Sequence, residues 1–144
     1  MTHSYADPSD WRNPVKPCLG TICGVRDLAT GIKLFQVEPD DPEVRANSNC
    51  GPGRFAEVSA LGVGESLFGI VSTRQRSTRR TRRRQTIDVA INRIGTVTGV
   101  LHRMDVGDKV GVRGPLGNGL PMDQFKGKDI VILGVVLGKL LVDQ

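Results

Sequence analysis

The chain has 144 residues, a mass of 15.6 kDa and a formal net charge of +5. That length holds one domain or two very small ones, and it excludes a complete two-domain nucleotide oxidoreductase, a TIM barrel or a kinase. Apolar residues make up 38% and aromatic ones 4%, with 18 Gly and 8 Pro, so any core must rest on Val, Ile and Leu between frequent turns.

In chain order, residues 1–16 read as an extended polar lead-in. The segments 19–27 (LGTICGVRD) and 32–37 (IKLFQV) alternate and read as strands around a turn at Ala29-Thr30-Gly31. In the second, Ile32, Leu34 and Gln36 share one face, and Lys33, Phe35 and Val37 the other. A polar connection covers 38–53, and strands are expected at 55–61 and 67–72. The segment 87–94 (IDVAINRI), with Ile87, Val89 and Ile91 on one face, is the clearest strand signal. Val97, Val100, Leu101 and Met104 have helical spacing. They predict a helix over 97–104, capped by Thr96 or Thr98 and followed by Gly107. A short strand at 109–113 ends at Gly114-Pro115, and 130–133 (IVIL) is an apolar run of the buried-strand type. Six or seven short strands, one short helix and no βαβ alternation before residue 129 predict an antiparallel barrel or sandwich. The last apolar run looks like the first strand of a parallel sheet whose continuation is absent.

The charge is unevenly placed. Residues 74–84 (RQRSTRRTRRR) hold seven arginines and no acid, so the rest of the chain sums to +5 − 7 = −2. This is a near-neutral domain with one cationic insertion. Seven guanidiniums in eleven residues cannot be packed in a core, and they read as a solvated loop or as a contact for nucleic acid or another polyanion. Cys18, Cys23 and Cys50 are too few for a disulfide framework, and their odd count suits a reducing compartment. Cys18 and Cys23 have the spacing of half a metal site, but no second pair follows and the only histidines are His3 and His102. The cysteines are therefore read as structural, with no metal. The polar, Pro-rich start is unlike a signal peptide, and the longest apolar run, 130–138, is half a membrane span. A soluble, cytoplasmic protein without membrane insertion is expected.

Three glycine-bearing turns could carry chemistry. In Gly95-Thr96-Val97-Thr98 a glycine follows a strand and leads into a helix. Unpaired N–H groups there, with a threonine hydroxyl beside them, suit a phosphate or pyrophosphate, or else form an ordinary helix cap. Gly114-Pro115-Leu116-Gly117-Asn118-Gly119 reads as a tight turn. In 132–138 (ILGVVLG) the glycines follow an apolar strand, but Val135-Val136 would crowd a phosphate. Two histidines are too few for a catalytic triad, and His102 reads as a surface or boundary residue rather than a base. No catalytic residue is named.

The order of these signals carries a resemblance. Gly51-Pro52-Gly53-Arg54-Phe55-Ala56-Glu57-Val58-Ser59 resembles the P-G-Q-F strand entry of the ferredoxin–NADP reductase-like flavoproteins. Gly62-Val63-Gly64-Glu65 and the continuous stretch 95–133 resemble one subgroup of them: the gamma subunits of sulfhydrogenases and hydrogenases and the anaerobic sulfite reductase B subunits. The resemblance covers roughly residues 17–138. It implies a mainly β fold: a six-stranded antiparallel Greek-key barrel with one short helix over 17–128, including an Arg-rich loop at 74–84. Residues 129–144 would be the truncated start of an NAD(P)-binding α/β domain. It implies FAD as cofactor, with Gly95, Val97 and Thr98 at the pyrophosphate. The strand Phe68, Gly69, Ile70 to Ser72 would lie beside the isoalloxazine, and Ala90, Ile91 and Asn92 would line the ring. The departures are at Ser66-Leu67-Phe68-Gly69, where the family has Arg-x-Tyr-Ser or Ala-Pro-Phe-Ser. Phe68 keeps the aromatic platform, but the phosphate-pairing arginine is absent and Gly69 replaces the hydroxyl expected near flavin N5. Weak flavin binding follows.

The implied function is the flavin half of an NAD(P)H-linked electron-transfer oxidoreductase. Its partners would be an NAD(P)-binding domain or chain and iron–sulfur or hydrogenase-type subunits, and the isolated chain would turn over little NAD(P)H. The rival readings are a diverged barrel scaffold without catalysis, and a polyanion- or nucleic-acid-binding module acting through the arginines.

Overall fold

Period-two alternation becomes six strands, and the two-residue turn at Thr30-Gly31, where Gly31 holds φ +75°, closes the first hairpin. The computed structural model describes residues 17–48, 50–78 and 81–131, with backbone alone at 47, 74–78 and 81–84. The strands are β1 (Cys18–Ala29), β2 (Ile32–Pro39), β3 (Phe55–Ala60), β4 (Gly64–Thr78), β5 (Thr81–Asn92) and β6 (Lys109–Leu116). They close a barrel in the order β1-β2-β5-β4-β3-β6, every neighbouring pair antiparallel. The expected Greek-key barrel is therefore present: β2 pairs with β5 and β3 with β6 across the chain order.

The core sits inside the barrel. Phe35 and Val37 of β2, Val58 of β3, Val89 of β5 and Val112 of β6 are all at most 2% exposed. Closure needs a small residue on β1. A Cβ on Gly20 would come 2.8 Å from Val37 Cγ1 and 2.9 Å from Val112 Cγ2. Large apolar side chains line the wall, so Gly20 lets β1 pass between β2 and β6.

Helices occupy the connections. The helix expected at 97–104 is α2 (Thr96–Leu101), which plugs the barrel with Leu101. Two further short helices escape the hydrophobic pattern: α1 (Pro42–Asn47) and α3 (Met122–Phe125). The first is written in its cap. Asp41 Oδ1 accepts the N–H groups of Glu43 and Val44, at 2.8 and 3.3 Å, and Pro42 takes the first position, where no N–H is needed.

Several expectations shift. β6 runs through Gly114-Pro115, a cis peptide, to Leu116 rather than ending there. The backbone of 74–78 and 81–84 continues β4 and β5 rather than forming a loop. Of the apolar run 130–133, Ile130 and Val131 are exposed and outside any strand, and the remainder lies outside the described residues. His102 is buried, not at the surface. Its ring Nε2 is 2.8 Å from the Ile91 carbonyl, which only accepts, so Nε2 carries the proton. The ring meets Phe35 edge-on at 6.1 Å. Among the described residues no helix is long and apolar enough to cross a membrane.

A surface clasp ties the β1–β2–β6 seam. Lys109 Nζ donates to Asp40 Oδ2 at 2.6 Å and to Thr21 Oγ1 at 2.7 Å, and the Thr21 hydroxyl donates to Asp40 Oδ1 at 2.8 Å. The Lys109 hydrogen bond holds the Asp40 carboxyl below the usual carboxylate range. A carboxyl whose folded pKa is lowered stabilises the fold above its unfolded pKa and loses that contribution as pH falls through the folded value. Lys109→Met should therefore cost at most about 1 kcal/mol at neutral pH, since the pair is solvent-screened. It should also flatten the loss of stability below about pH 4. Urea midpoints at pH 7 and pH 3 measure both effects.

Candidate functional site

One open cleft of about 1020 Å³ lies where β4, β5 and the start of α2 meet. The elements supply it in order. β4 lends Glu65, Ser66, Leu67, Phe68 and Gly69, and β5 lends Ala90 and Asn92. The turn and first residues of α2 lend Ile94, Gly95, Thr96, Val97 and Thr98, and Glu57 of β3 adds a carboxylate.

Two glycines in this wall are required by neither backbone nor packing. Gly95 has φ −153°, which any residue adopts, and a Cβ there would come no nearer than 4.0 Å to another atom, Thr98 Oγ1. A Cβ on Gly69 would meet nothing within 4 Å. By contrast, Gly20 and Gly111 would each place a Cβ under 3.0 Å from a neighbouring side chain. The empty space at Gly69 and Gly95 opens on the cleft, and it lets a flat or phosphate-bearing ligand approach the backbone closely.

The Gly95 turn is shaped by Thr98. The Thr98 hydroxyl accepts the N–H groups of Ile94 and Gly95, at 3.1 and 2.9 Å, and donates to the Gly95 carbonyl at 3.1 Å. It is 7% exposed. The hydroxyl expected to complete an anion site is thus spent on fixing the turn, and so is the Gly95 N–H. Thr96, Val97 and Thr98 remain as the first helical residues, whose N–H groups have no intrahelical carbonyl to meet.

The electrostatics of the cleft are acidic. Its lining holds Glu57 and Glu65 and, among the described residues, no lysine, arginine or histidine. The nearest compensation is Arg113 of β6. Its Nη2 pairs with Glu57 Oε2 and lies 3.6 Å from Glu65 Oε1. The Arg113 guanidinium is therefore engaged by the two carboxylates that face the cleft.

Seven of the ten residues that the sequence puts at a ligand come together here: Phe68, Gly69, Ala90, Asn92, Gly95, Val97 and Thr98. Three stand off the cleft. Ile91 is core, Ile70 packs against the core, and the Ser72 hydroxyl donates to Asp88 Oδ2 at 2.9 Å. Strand alternation separates Ile91 from Ala90 and Asn92, because successive side chains point to opposite faces. Glu57, Glu65, Leu67 and Ile94 escaped the sequence reading. Ile94 ends the strand one residue before the glycine turn, but Glu57 gives no local signal. It reaches the cleft through its register opposite Leu67 and Arg113.

The cysteines stay apart from this site. Cys18, Cys23 and Cys50 form no disulfide with one another and are half-buried, and the Cys23 thiol donates to the Gln36 carbonyl at 3.2 Å. Burial, with the Asp41 charge adding to it, pushes the Cys18 thiol up, so it stays protonated at neutral pH.

No family model matches the chain. Among proteins of known role, sulfhydrogenase 2 subunit gamma of Pyrococcus furiosus is 35% identical over 126 residues, 88% of this chain and 41% of the relative. Sulfhydrogenase 1 subunit gamma of the same organism is 37% identical over 117 residues, 81% of this chain and 38% of the relative. A probable dihydroorotate dehydrogenase B (NAD(+)) electron transfer subunit of Methanocella arvoryzae is 27% identical over 124 residues, 86% of this chain and 40% of the relative. The chain thus spans about two fifths of the length of these relatives. Among solved structures, the cytochrome b5 reductase domain of Ulva prolifera nitrate reductase superposes with a TM-score of 0.53 at 17% identity. That match covers 73% of this chain and 42% of the other. The ferredoxin reductase in carbazole 1,9a-dioxygenase gives a TM-score of 0.55 at 20% identity, over 74% of this chain and 30% of the other. At these identities the structural likeness establishes the fold.

Proposed function

We propose that this chain, with sulfhydrogenase gamma subunits among its relatives and a barrel that superposes on ferredoxin reductase structures, is the flavin-binding domain of an electron-transfer oxidoreductase. The observation that carries this reading is the cleft wall at Gly69 and Gly95, where the fold leaves room for a Cβ that the sequence withholds. Phe68, Ala90 and Asn92 would hold the isoalloxazine, and the backbone of Thr96 and Val97 would hold the phosphate end. A bound flavin supplies the exchange between two-electron and one-electron carriers. The chain's own residues bind and orient it. FAD is the form proposed, NAD(P)H the electron source through a further domain or chain, and an iron–sulfur subunit the other partner. A reducing, cytoplasmic compartment fits three cysteines that form no disulfide with one another.

Binding should be weak. Among the described residues two carboxylates and no cation line the cleft, and the resemblance puts Ser66 where the stronger flavin binders it points to carry arginine. One missing charge-assisted contact is worth about 1.5–3 kcal/mol, roughly ten- to hundredfold in affinity.

Titration of the purified chain with FAD, FMN and riboflavin, followed near 450 nm, tests the reading. Gly69→Ala should keep or slightly raise thermal stability, since its side chain meets no neighbour and the unfolded chain loses freedom, whereas Gly95→Ala, at the N-cap of α2, should cost up to about 1 kcal/mol. The same substitutions should weaken flavin by about ten- to hundredfold, the effect of roughly 1–3 kcal/mol of overpacking. Gly99→Ala is the control: its Cβ also meets nothing, it lies in α2, and it does not line the cleft. It should stabilise the chain without changing affinity. No flavin uptake by the unaltered chain, riboflavin included, would leave the scaffold reading in its place.

A further inference from the structure

The longest hairpin of the barrel extends beyond the barrel. β3 pairs with β4 only as far as Gly69, and β2 pairs with β5 only from Ile87 onward. Past those positions β4 and β5 pair with each other: Arg74 opposite Thr86, Gln75 opposite Gln85, Arg76 opposite Arg84 and Thr78 opposite Thr81. The result is a two-stranded arm rooted in the barrel wall. Its root is firm, because Gln85 and Thr86 are buried and the hydroxyls of Ser72 and Thr86 donate to the buried Asp88.

Closing a hairpin requires only a two-residue turn, so the barrel gains nothing obvious from this extension. The paired stretch also works against itself. Arg76 and Arg84 take directly opposed register positions, and like charges so placed destabilise an antiparallel pair. A counter-charged ligand would remove that cost. Every cation of the segment is arginine, the side chain suited to bidentate contact with phosphate oxygens.

We propose that the β4–β5 arm binds the phosphate backbone of duplex DNA, without reading its sequence. Charge density separates this partner from an acidic protein surface. About five residue pairs at roughly 3.4 Å per residue span about 17 Å. The paired stretch carries Arg74, Arg76, Arg82, Arg83 and Arg84, five cations shared between its two strands with no acid among them. Duplex DNA is a continuous polyanion, with a phosphate every ~3.4 Å along each strand. Protein surfaces mix both signs of charge. A two-stranded ribbon is also an element that the major groove of about 12 Å admits. Among the described residues the β4 part of the cleft lining ends at Gly69, before the arm begins, and the test reads DNA binding rather than flavin binding.

The test is fluorescence anisotropy of a labelled 20-base-pair duplex with the whole chain, at 50 to 200 mM KCl. Five phosphate contacts predict a slope of log K against log salt near −4.5, a loss of about several hundredfold over that range. Arg76→Gln with Arg84→Gln should make the slope shallower by about 2 and weaken all duplex sequences alike. Thermal unfolding of that variant should be unchanged or raised, which shows that the barrel survives. A slope of −3 or steeper that the double substitution reduces supports the proposal. A shallower slope, a slope the substitution leaves unchanged, or competition by polyglutamate as strong as by unlabelled duplex overturns it. The last outcome would assign the arm to an acidic protein instead.

Discussion

Phe35→Ala lowers the stability of the barrel by about 3–5 kcal/mol, the range for deleting a buried aromatic ring. Phe35 is 2% exposed and the largest fully buried side chain among the described residues. It stands on β2 between the β1 and β5 walls, paired in register with Val25 and Val89. Its ring also backs His102, whose Nε2–H bond to Ile91 holds the end of α2 against β5. The cavity therefore opens beneath the helix whose first turn lines the cleft. For a chain of this size each kcal/mol shifts the midpoint by roughly 3–5 °C, so Tm should fall by about 10–20 °C. Phe35→Leu, which keeps most of the volume, should cost less than about 1.5 kcal/mol. Paired thermal melts of the two variants measure the difference. Equal effects would mean that the ring is not packed as described.

Arg113→Met is the second large effect. Arg113 and Glu57 have side chains only 21% and 10% exposed, and the pair joins β6 to β3 at one of the barrel's non-consecutive seams. Removing the guanidinium leaves Glu57 with a mostly desolvated charge. Breaking a fully buried pair costs about 3–5 kcal/mol, and this one, which keeps some water, should cost about 2–4. The penalty comes from the stranded carboxylate, so the double variant Arg113→Met with Glu57→Gln should recover most of it. The cleft supplies an independent readout. Arg113→Met leaves Glu57 and Glu65 uncompensated, which should weaken FMN and FAD but not riboflavin, which has no phosphate. Urea unfolding of the single and double variants, with titration of the three flavins, separates the structural effect from the electrostatic one. A double variant as unstable as the single would show that the pair's charge is not the issue.

Much of the architecture is local and therefore legible in the chain. The alternation Ile87, Val89, Ile91 marks β5 because a strand puts every second side chain on one face. The spacing of Val97, Val100 and Leu101 marks α2 for the corresponding reason. Even α1, which hydrophobic spacing misses, is written in Asp41-Pro42-Glu43: an N-cap, a proline at the first position and an early acid. The arginine segment misleads because its charges argue for a solvated loop. Strand pairing, begun in the barrel wall, carries the backbone past that signal.

By itself the sequence determined the strands of the barrel wall and α2, the residues able to form a core, the glycine turn before α2 and the single cationic insertion. Each follows from interactions within a few residues or from composition. Only the tertiary structure decided what depends on distant segments meeting. It set the strand order that closes β1 on β6. It brought Glu57 and Glu65 to one cleft with Arg113 behind them, and turned Ile91 and Ile70 away from it. It also spent the Thr98 hydroxyl on its own turn rather than on a ligand. The physical reason is register. A shift of one residue in any strand pair would exchange its inner and outer faces, and what holds the register is the packing of the whole barrel.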